Sequence, residues 1–181
     1  MRSLRLAPAL VLLVGLGLSA EAGAARGPRP FGLGVQIGAP TGLSAKLYLD
    51  RPFALQMGVG WVDDFDNEDG LHLHLDFIWH PAVLARGRDL TLPFYVGVGG
   101  RILSHHYHYR AGGVNYTDDD AHLGVRVPVG LLLDFNRVPI DVFLELALVV
   151  DFLYFDEDYG PLHHDHDRID LNGGIGIRYY F

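Results

Sequence analysis

The 181-residue chain contains no cysteine and only two methionines. Without thiols there is no disulfide framework, no thiolate metal centre and no lipid carried on a cysteine. Serine is scarce as well. Beyond residue 24 only Ser44 and Ser104 occur, which leaves little for hydrolytic chemistry built on a serine and a histidine. Ser44 stands beside Lys46, and Ser104 directly precedes His105, so strand alternation sends those last two side chains to opposite faces. A long apolar run occurs once. Leu6 to Leu18 is apolar apart from Pro8 and two glycines, follows Arg2 and Arg5, stops at Ser19 and Glu21, and leads into Ala22, Gly23 and Ala24. It is shorter than the roughly 20 residues that a helix needs to cross a bilayer. Its layout is that of a signal peptide cleaved after Ala24, with Ala20 or Ala25 as alternative sites. The expected organisation is a signal peptide over 1–24, a short lead over 25–30 and a single domain over 31–181. Removing residues 1–24 takes away two basic residues and one acidic one, moving the formal charge from −8 to −9, and an acidic product of this kind disfavours a nucleic-acid partner.

Glycine and the aromatic residues are plentiful, with 23 glycines and 12% aromatics, and the apolar residues recur at every second position. That is the period of a strand with two unlike faces. Eight such segments are expected at Phe31–Ile37, Gly42–Leu49, Phe53–Val62, Leu71–His80, Pro93–Leu103, His122–Asp134, Ile140–Asp151 and Asp167–Phe181. The fourth shows the pattern best. Leu71, Leu73, Leu75, Phe77 and Trp79 alternate with His72, His74, Asp76, Ile78 and His80. The polar face is also the glycine face, as the crowded interior of a narrow barrel requires.

That face collects four fixed cations, Lys46, Arg101, Arg126 and Arg178, and four acids, Asp76, Asp141, Glu145 and Asp170. They are expected to pair as an ionic plug, because a buried charge persists only when paired and hydrogen-bonded. The apolar face carries no charge between strand ends, and a cation facing lipid at mid-depth costs about 2–4 kcal/mol. The links around Asp50–Pro52, Pro81–Leu92 and Asn136–Pro139 are shorter on average than Asp63–Gly70, Ser104–Ala121 and Phe152–His166, which are polar and acidic. Gly38–Thr41 breaks this alternation by being tight. The fold class that follows is all-β, an eight-stranded antiparallel up-and-down transmembrane β-barrel. Pro128 falls in mid-strand, where a missing N–H calls for a bulge or a shifted strand boundary.

The chain closes on Arg178, Tyr179, Tyr180 and Phe181, which resembles the C-terminal signature of bacterial outer-membrane barrels. The resemblance implies that Tyr179 and Phe181 form the signal read by the barrel-assembly machinery. The stretch FGLGVQIGAPTGLSAKLYL from Phe31, with Gly32, Gly34, Gly38, Pro40, Thr41, Gly42 and Lys46, resembles the opening of a family of small bacterial outer-membrane barrels of unknown function. In size the chain is similar to the OmpA/OmpX-like transmembrane barrels. These resemblances imply a location in the outer membrane after export, with lipid and lipopolysaccharide as partners, and no particular activity.

Two histidine clusters remain: His105, His106 and His108, and His163, His164 and His166 beside Asp165 and Asp167. Imidazole and carboxylate at such spacing bind Zn²⁺ or Cu²⁺ when loops bring them together, although no spacing here fixes a tetrahedral site. The acidic runs, Asp118 to Asp120 and Asp63 to Asp69, lack the register of a calcium loop. No resident cofactor and no catalysis are expected, and lipid A modification is the enzymatic alternative. Three readings of function stand: a non-catalytic outer-membrane barrel whose loops contact an external ligand, a small-solute transporter or channel, and a soluble periplasmic lipocalin-like barrel with its apolar face turned inward.

Overall fold

Period-two alternation folds as eight strands: β1 (Phe31–Gly38), β2 (Thr41–Tyr48), β3 (Phe53–Asp63), β4 (Asp69–Arg86), β5 (Leu90–Ala111), β6 (Val114–Phe135), β7 (Ile140–Phe155) and β8 (Arg168–Tyr180). The computed structural model describes residues 29–50, 52–63, 69–111, 114–155 and 168–181. Each strand pairs antiparallel with the next, and β1 pairs β8 from Gly32↔Tyr180 to Gly38↔Gly174, so the sheet closes into a barrel. A closed ladder has no edge strand to protect.

Parity fixes which side chains meet which environment. On β4, Leu71, Leu73, Leu75, Phe77 and Trp79 are exposed, whereas His72, His74, Asp76, Ile78 and His80 are buried. β7 repeats this, with Leu144, Leu146 and Leu148 outside and Asp141, Phe143, Glu145, Ala147, Val149 and Asp151 inside. The arrangement inverts that of a protein built for water on all sides. Its exterior is hydrocarbon, and its interior holds the charges. The apolar part of the interior, Tyr48, Ala54, Ile78, Tyr95, Leu132, Phe143 and Tyr180, gathers at the end of the barrel that carries the short links 49–52, 87–89 and 136–139. Two of those links are clasped together. Asn136 donates from Nδ2 to the carbonyls of Gly87 (3.0 Å) and Arg88 (3.3 Å) and accepts from Thr91 Oγ1 (2.9 Å).

The strands outrun the expected segments. β4 continues to Arg86 and β5 begins at Leu90, leaving a tight turn where a link over Pro81–Leu92 is expected; register shifts between Trp79 and Ala82 and between Val83 and Ala85 take up this extension. The expected loop Ser104–Ala121 is instead a paired hairpin, from Ser104↔Ala121 to Ala111↔Val114. Main-chain pairing needs no apolar face, and Tyr107, Tyr109, Val114, Tyr116 and Thr117 are strand-forming residues. Pro128 produces no bulge. The β5–β6 bridges lapse opposite Val127 and Pro128 and resume in the same register at Gly99↔Arg126. Glycine at position 97, without a side chain, leaves room for the pyrrolidine ring. The irregularity of β6 falls instead between Leu123 and Gly124, against β7.

Glycine is required where neighbouring backbones close up. A Cβ on Gly34 would collide with the carbonyl of Ile177 on β8, whereas one on Gly100 would meet nothing nearer than the Gly124 carbonyl at 3.7 Å. Gly34→Ala is expected to lower the unfolding free energy by about 1–3 kcal/mol through overpacking, and Gly100→Ala to stay within about 0.5 kcal/mol of the parent. Denaturant titration of the purified protein measures both.

Candidate functional site

The interior is occupied by three polar clusters whose members come from seven strands. The largest is centred on Arg126 of β6. One arm of its guanidinium binds Asp76 of β4 and lies 3.1 Å from His74 Nδ1, and the other donates to Glu145 Oε1 of β7 at 2.6 Å. His74 Nδ1 is itself 3.0 Å from Asp76 Oδ2. Glu145 Oε2 also accepts from Tyr95 OH (2.7 Å) and from Gln56 Nε2 (2.6 Å). Gln56 Oε1 in turn accepts from Arg178 Nη1 at 2.9 Å, Arg178 Nε donates to Asp141 Oδ1 at 3.1 Å, and Tyr180 OH donates to Asp141 Oδ2 at 2.5 Å. A single chain of hydrogen bonds thus runs across the barrel from His74 on β4 to Tyr180 on β8. The Arg178 guanidinium also lies 4.1 Å from the centre of the Phe143 ring, where the face of the aromatic supplies negative charge.

The second cluster is built on Arg101 of β5, further from the short links. Asp151 of β7 takes two arms of the guanidinium, one of them through a 3.0 Å bond from Nε to Oδ1. The remaining arm donates to Asp170 Oδ2 and Asn172 Oδ1 of β8, each at 3.0 Å. Asn172 Nδ2 closes the group by donating to Asp170 at 2.9 Å. A planar fork with five donors suits this bridging between strands in a way that a point charge does not.

The third cluster holds Lys46, the one lysine of the chain. Its Nζ lies 3.0 Å from His80 Nε2, 4.7 Å from the centre of the Tyr95 ring and 5.3 Å from that of Tyr48. His80 Nδ1 is 3.0 Å from the Pro52 carbonyl. Among the described residues Lys46 makes no ion pair, in contrast to the pairing expected of it.

Of the eight charged residues singled out by alternation, Lys46, Asp76, Arg101, Arg126, Asp141, Glu145 and Arg178 are buried inside the barrel and Asp170 is partly covered at its rim. Counting formal charges alone passes over Asp151, the bidentate partner of Arg101, because it stands at the expected end of its strand. It also passes over the neutral Gln56, Tyr95, Tyr180, His80 and Asn172. All share the parity of the charged set, which was the available signal. Two further interior groups stand apart: among the described residues His72 finds no hydrogen-bond partner and packs edge-on against His74 at 5.6 Å, and the buried Ser44 hydroxyl bonds to no imidazole.

The other candidates lie elsewhere. Tyr179 and Phe181 face outward, 5.0 Å apart, and Phe181 stacks on Phe31 at 6.5 Å across the β1–β8 seam. His105, His106 and His108 belong to β5, opposite Asp120, Asp119 and Thr117 of β6. Their side chains, and the whole of the cluster His163, His164 and His166, lie outside the described residues. Among the described residues no three ligating side chains converge on a metal position.

Arg126 has two carboxylate partners, both buried, so its removal strands charge in the interior. Arg126→Gln is expected to cost about 3–5 kcal/mol. Arg137, whose 2.5 Å pair with Asp89 is well exposed, is the control: Arg137→Gln should cost less than about 1 kcal/mol. Parallel denaturant titrations of the two variants read the difference.

Compared with known proteins, the chain matches no family model, no curated protein and no solved structure.

Proposed function

We propose that the protein is an integral β-barrel of the bacterial outer membrane, exported by its N-terminal leader, whose interior is sealed by its own side chains and whose contacts with the outside are made through its rims and loops. The observation that carries this reading is the facing of the strands. Over residues 31–50, 52–62, 70–104, 121–152 and 169–181 no Lys, Arg, Asp or Glu occupies an outward position between strand ends, while Leu33, Val35, Leu75, Leu144, Leu171 and Ile177 stand exposed. In water such a belt is a large apolar patch of the kind that soluble monomers avoid. In a bilayer it is the required surface.

The same facing argues against a lipocalin-like carrier, which needs its apolar residues inward to hold a ligand. A permanent channel is disfavoured by dimension and by packing. Eight strands enclose a space just wide enough for their own side chains, and here Arg101, Arg126 and Arg178 each tie non-neighbouring strands together across it. A nucleophile and base pair is not assembled at Ser44, so we propose no catalysis. Lipid and lipopolysaccharide then surround the belt. The hairpin that β5 and β6 form beyond Ser104↔Ala121 is the face turned to an external ligand.

Four measurements test this. The refolded protein should migrate differently on gels before and after boiling and should fractionate with membranes; recovery as a detergent-free, water-soluble species contradicts the reading. Leu146, which faces outward, and Ala147, which faces inward, supply the matched substitutions. Leu146→Arg is expected to block assembly at a cost of about 2–4 kcal/mol, whereas Ala147→Ser assembles, and equal tolerance of both would contradict the assignment of faces. In planar bilayers near neutral pH no steady open-channel current should appear.

A further inference from the structure

The barrel closes through seven paired residues of β1 and β8, but β8 does not stop where β1 does. Their last pair is Gly38↔Gly174, and one further bond, from Ala39 N to the Gly173 carbonyl at 2.9 Å, ends the contact. Beyond it β8 continues to Arg168 with β7 as its neighbour, through Leu171↔Leu148, Ile169↔Val150 and Asp151↔Arg168. On the other side of the β1–β2 turn, β2 begins at Thr41↔Trp61, while β3 runs on to Asp63 and is paired there with β4. The wall therefore has a notch above the turn. Its flanks, β8 and β3, stand three strand spacings apart, about 14 Å along the wall.

Two properties set the β8 flank apart. The first is its backbone. Phe181 N donates to the Phe31 carbonyl and the Gly173 carbonyl accepts from Ala39, so odd-numbered residues at this end of the chain turn their main-chain groups toward β1. Leu171 and Ile169 share that parity, and among the described residues their N–H and C=O groups meet no strand. The second property is exposure. Ile169 (70%), Ile37 (68%), Leu171 (66%) and Trp61 (66%) are the most exposed large apolar side chains among the described residues, and all four border the notch. An unpaired main-chain edge does not persist in hydrocarbon, because nothing there can hydrogen-bond to it. Acyl chains would cover the two side chains and leave the amides bare, whereas a polypeptide strand satisfies both.

From this geometry we infer that the free edge of β8 docks one extended segment of a partner protein. The segment pairs with Leu171 and Ile169 by strand addition, turns apolar residues outward and sets a lysine or arginine against Asp170. The charge preference comes from the inward side of the same strand. Asp170 is the most open carboxylate of the interior clusters, with 39% of its side chain exposed. Arg101 and Asn172 hold its Oδ2, and its Oδ1 has no partner among the described residues. Across the notch β3 ends at Asp63, opposite Asp69. Residues facing one another across a strand pair share a side of the sheet, so apolar positions of the segment continue the row of Leu171 and Ile169, and basic ones alternate with them. The need for a strand in place of lipid rests on the membrane-spanning reading. The free edge and its charge do not.

The probe is a capped peptide, acetyl-Val-Lys-Val-Lys-Val-amide, with acetyl-Val-Glu-Val-Glu-Val-amide for comparison, and the readout is amide hydrogen exchange by NMR in protein refolded into detergent micelles. Without peptide, the amides of Ile169 and Leu171 should exchange at least about tenfold faster than those of Asp170 and Asn172, which are turned to β7. The lysine peptide should slow the first pair about tenfold or more and leave the second pair unchanged, and the glutamate peptide should have much less effect. Asp170→Asn should remove the difference between the two peptides. The lysine peptide N-methylated at its valines, whose amides are the ones turned to β8, should give no protection. Amides of Ile169 and Leu171 that are already slow without peptide would overturn the inference, because another part of the chain, or a second copy where the slowing grows with protein concentration, then covers the edge. No effect of the lysine peptide, or equal effects of both peptides on the parent, would overturn it as well. Failure of the barrel to enter vesicles would leave these micelle readouts untouched and would bear only on the membrane reading.

Discussion

Closure of the hydrogen-bond ladder between β1 and β8 is the constraint on which the rest of the molecule depends. Once seven consecutive residues of β1 pair with β8, the sheet has an inside and an outside, and each side chain is assigned to one of them by parity alone. Eight strands give an enclosed space without room for a water column. Polar residues placed there are stripped of water and must find partners among themselves. The glycines answer the same constraint, since strands that must curve this tightly approach one another where Gly34 meets β8, closer than a Cβ permits.

The interior solves its charge problem unevenly along the axis. Away from the short links, arginine forks bind carboxylates on other strands, Arg101 spanning from β5 to Asp151 on β7 and Asp170 on β8, and Arg126 reaching from β6 to Asp76 on β4 and to Glu145 on the neighbouring β7. At the short-link end tyrosines and Phe143 close the interior; there Arg178 pairs with Asp141 over the Phe143 ring, and Lys46 lies against ring faces and the His80 imidazole. A guanidinium is weakly hydrated and rigid enough to serve as a cross-brace, whereas an ammonium on a flexible stem is a movable charge. The braces fix the shape of the barrel.

Much of this was legible in the residues. Alternation over Leu71–His80 and Ile140–Asp151 set both the existence of β4 and β7 and the direction each side chain takes, because period two has one physical meaning. The ends of strands were not legible in the same way. Beyond Ser104 the alternation stops, and a run of His, Tyr and Asp reads as a loop, yet the β5–β6 ladder continues there through backbone groups that leave no mark on composition. Pro128 misled for a related reason: whether a missing N–H matters depends on what stands opposite, and the relief offered by Gly97 is visible only once the register is known.

The interior cluster divides along the same line. Lys46, Arg126 and Glu145 announced themselves by charge on a polar face, but the chain from Glu145 through Gln56 to Arg178 depends on the stagger of strands far apart in sequence, which no local pattern encodes. Lys46 was expected among carboxylates and instead lies against His80, since the acids nearest to it are already held by arginines. The central claim is that hydrocarbon faces out and charge faces in, and methyl NMR of the refolded barrel in lipid nanodiscs tests it most directly. A paramagnetic probe dissolved in the acyl chains should broaden the methyls of Leu75, Leu144 and Leu171 and spare those of Ile78 and Leu132. Broadening of the second pair with sparing of the first would contradict the account.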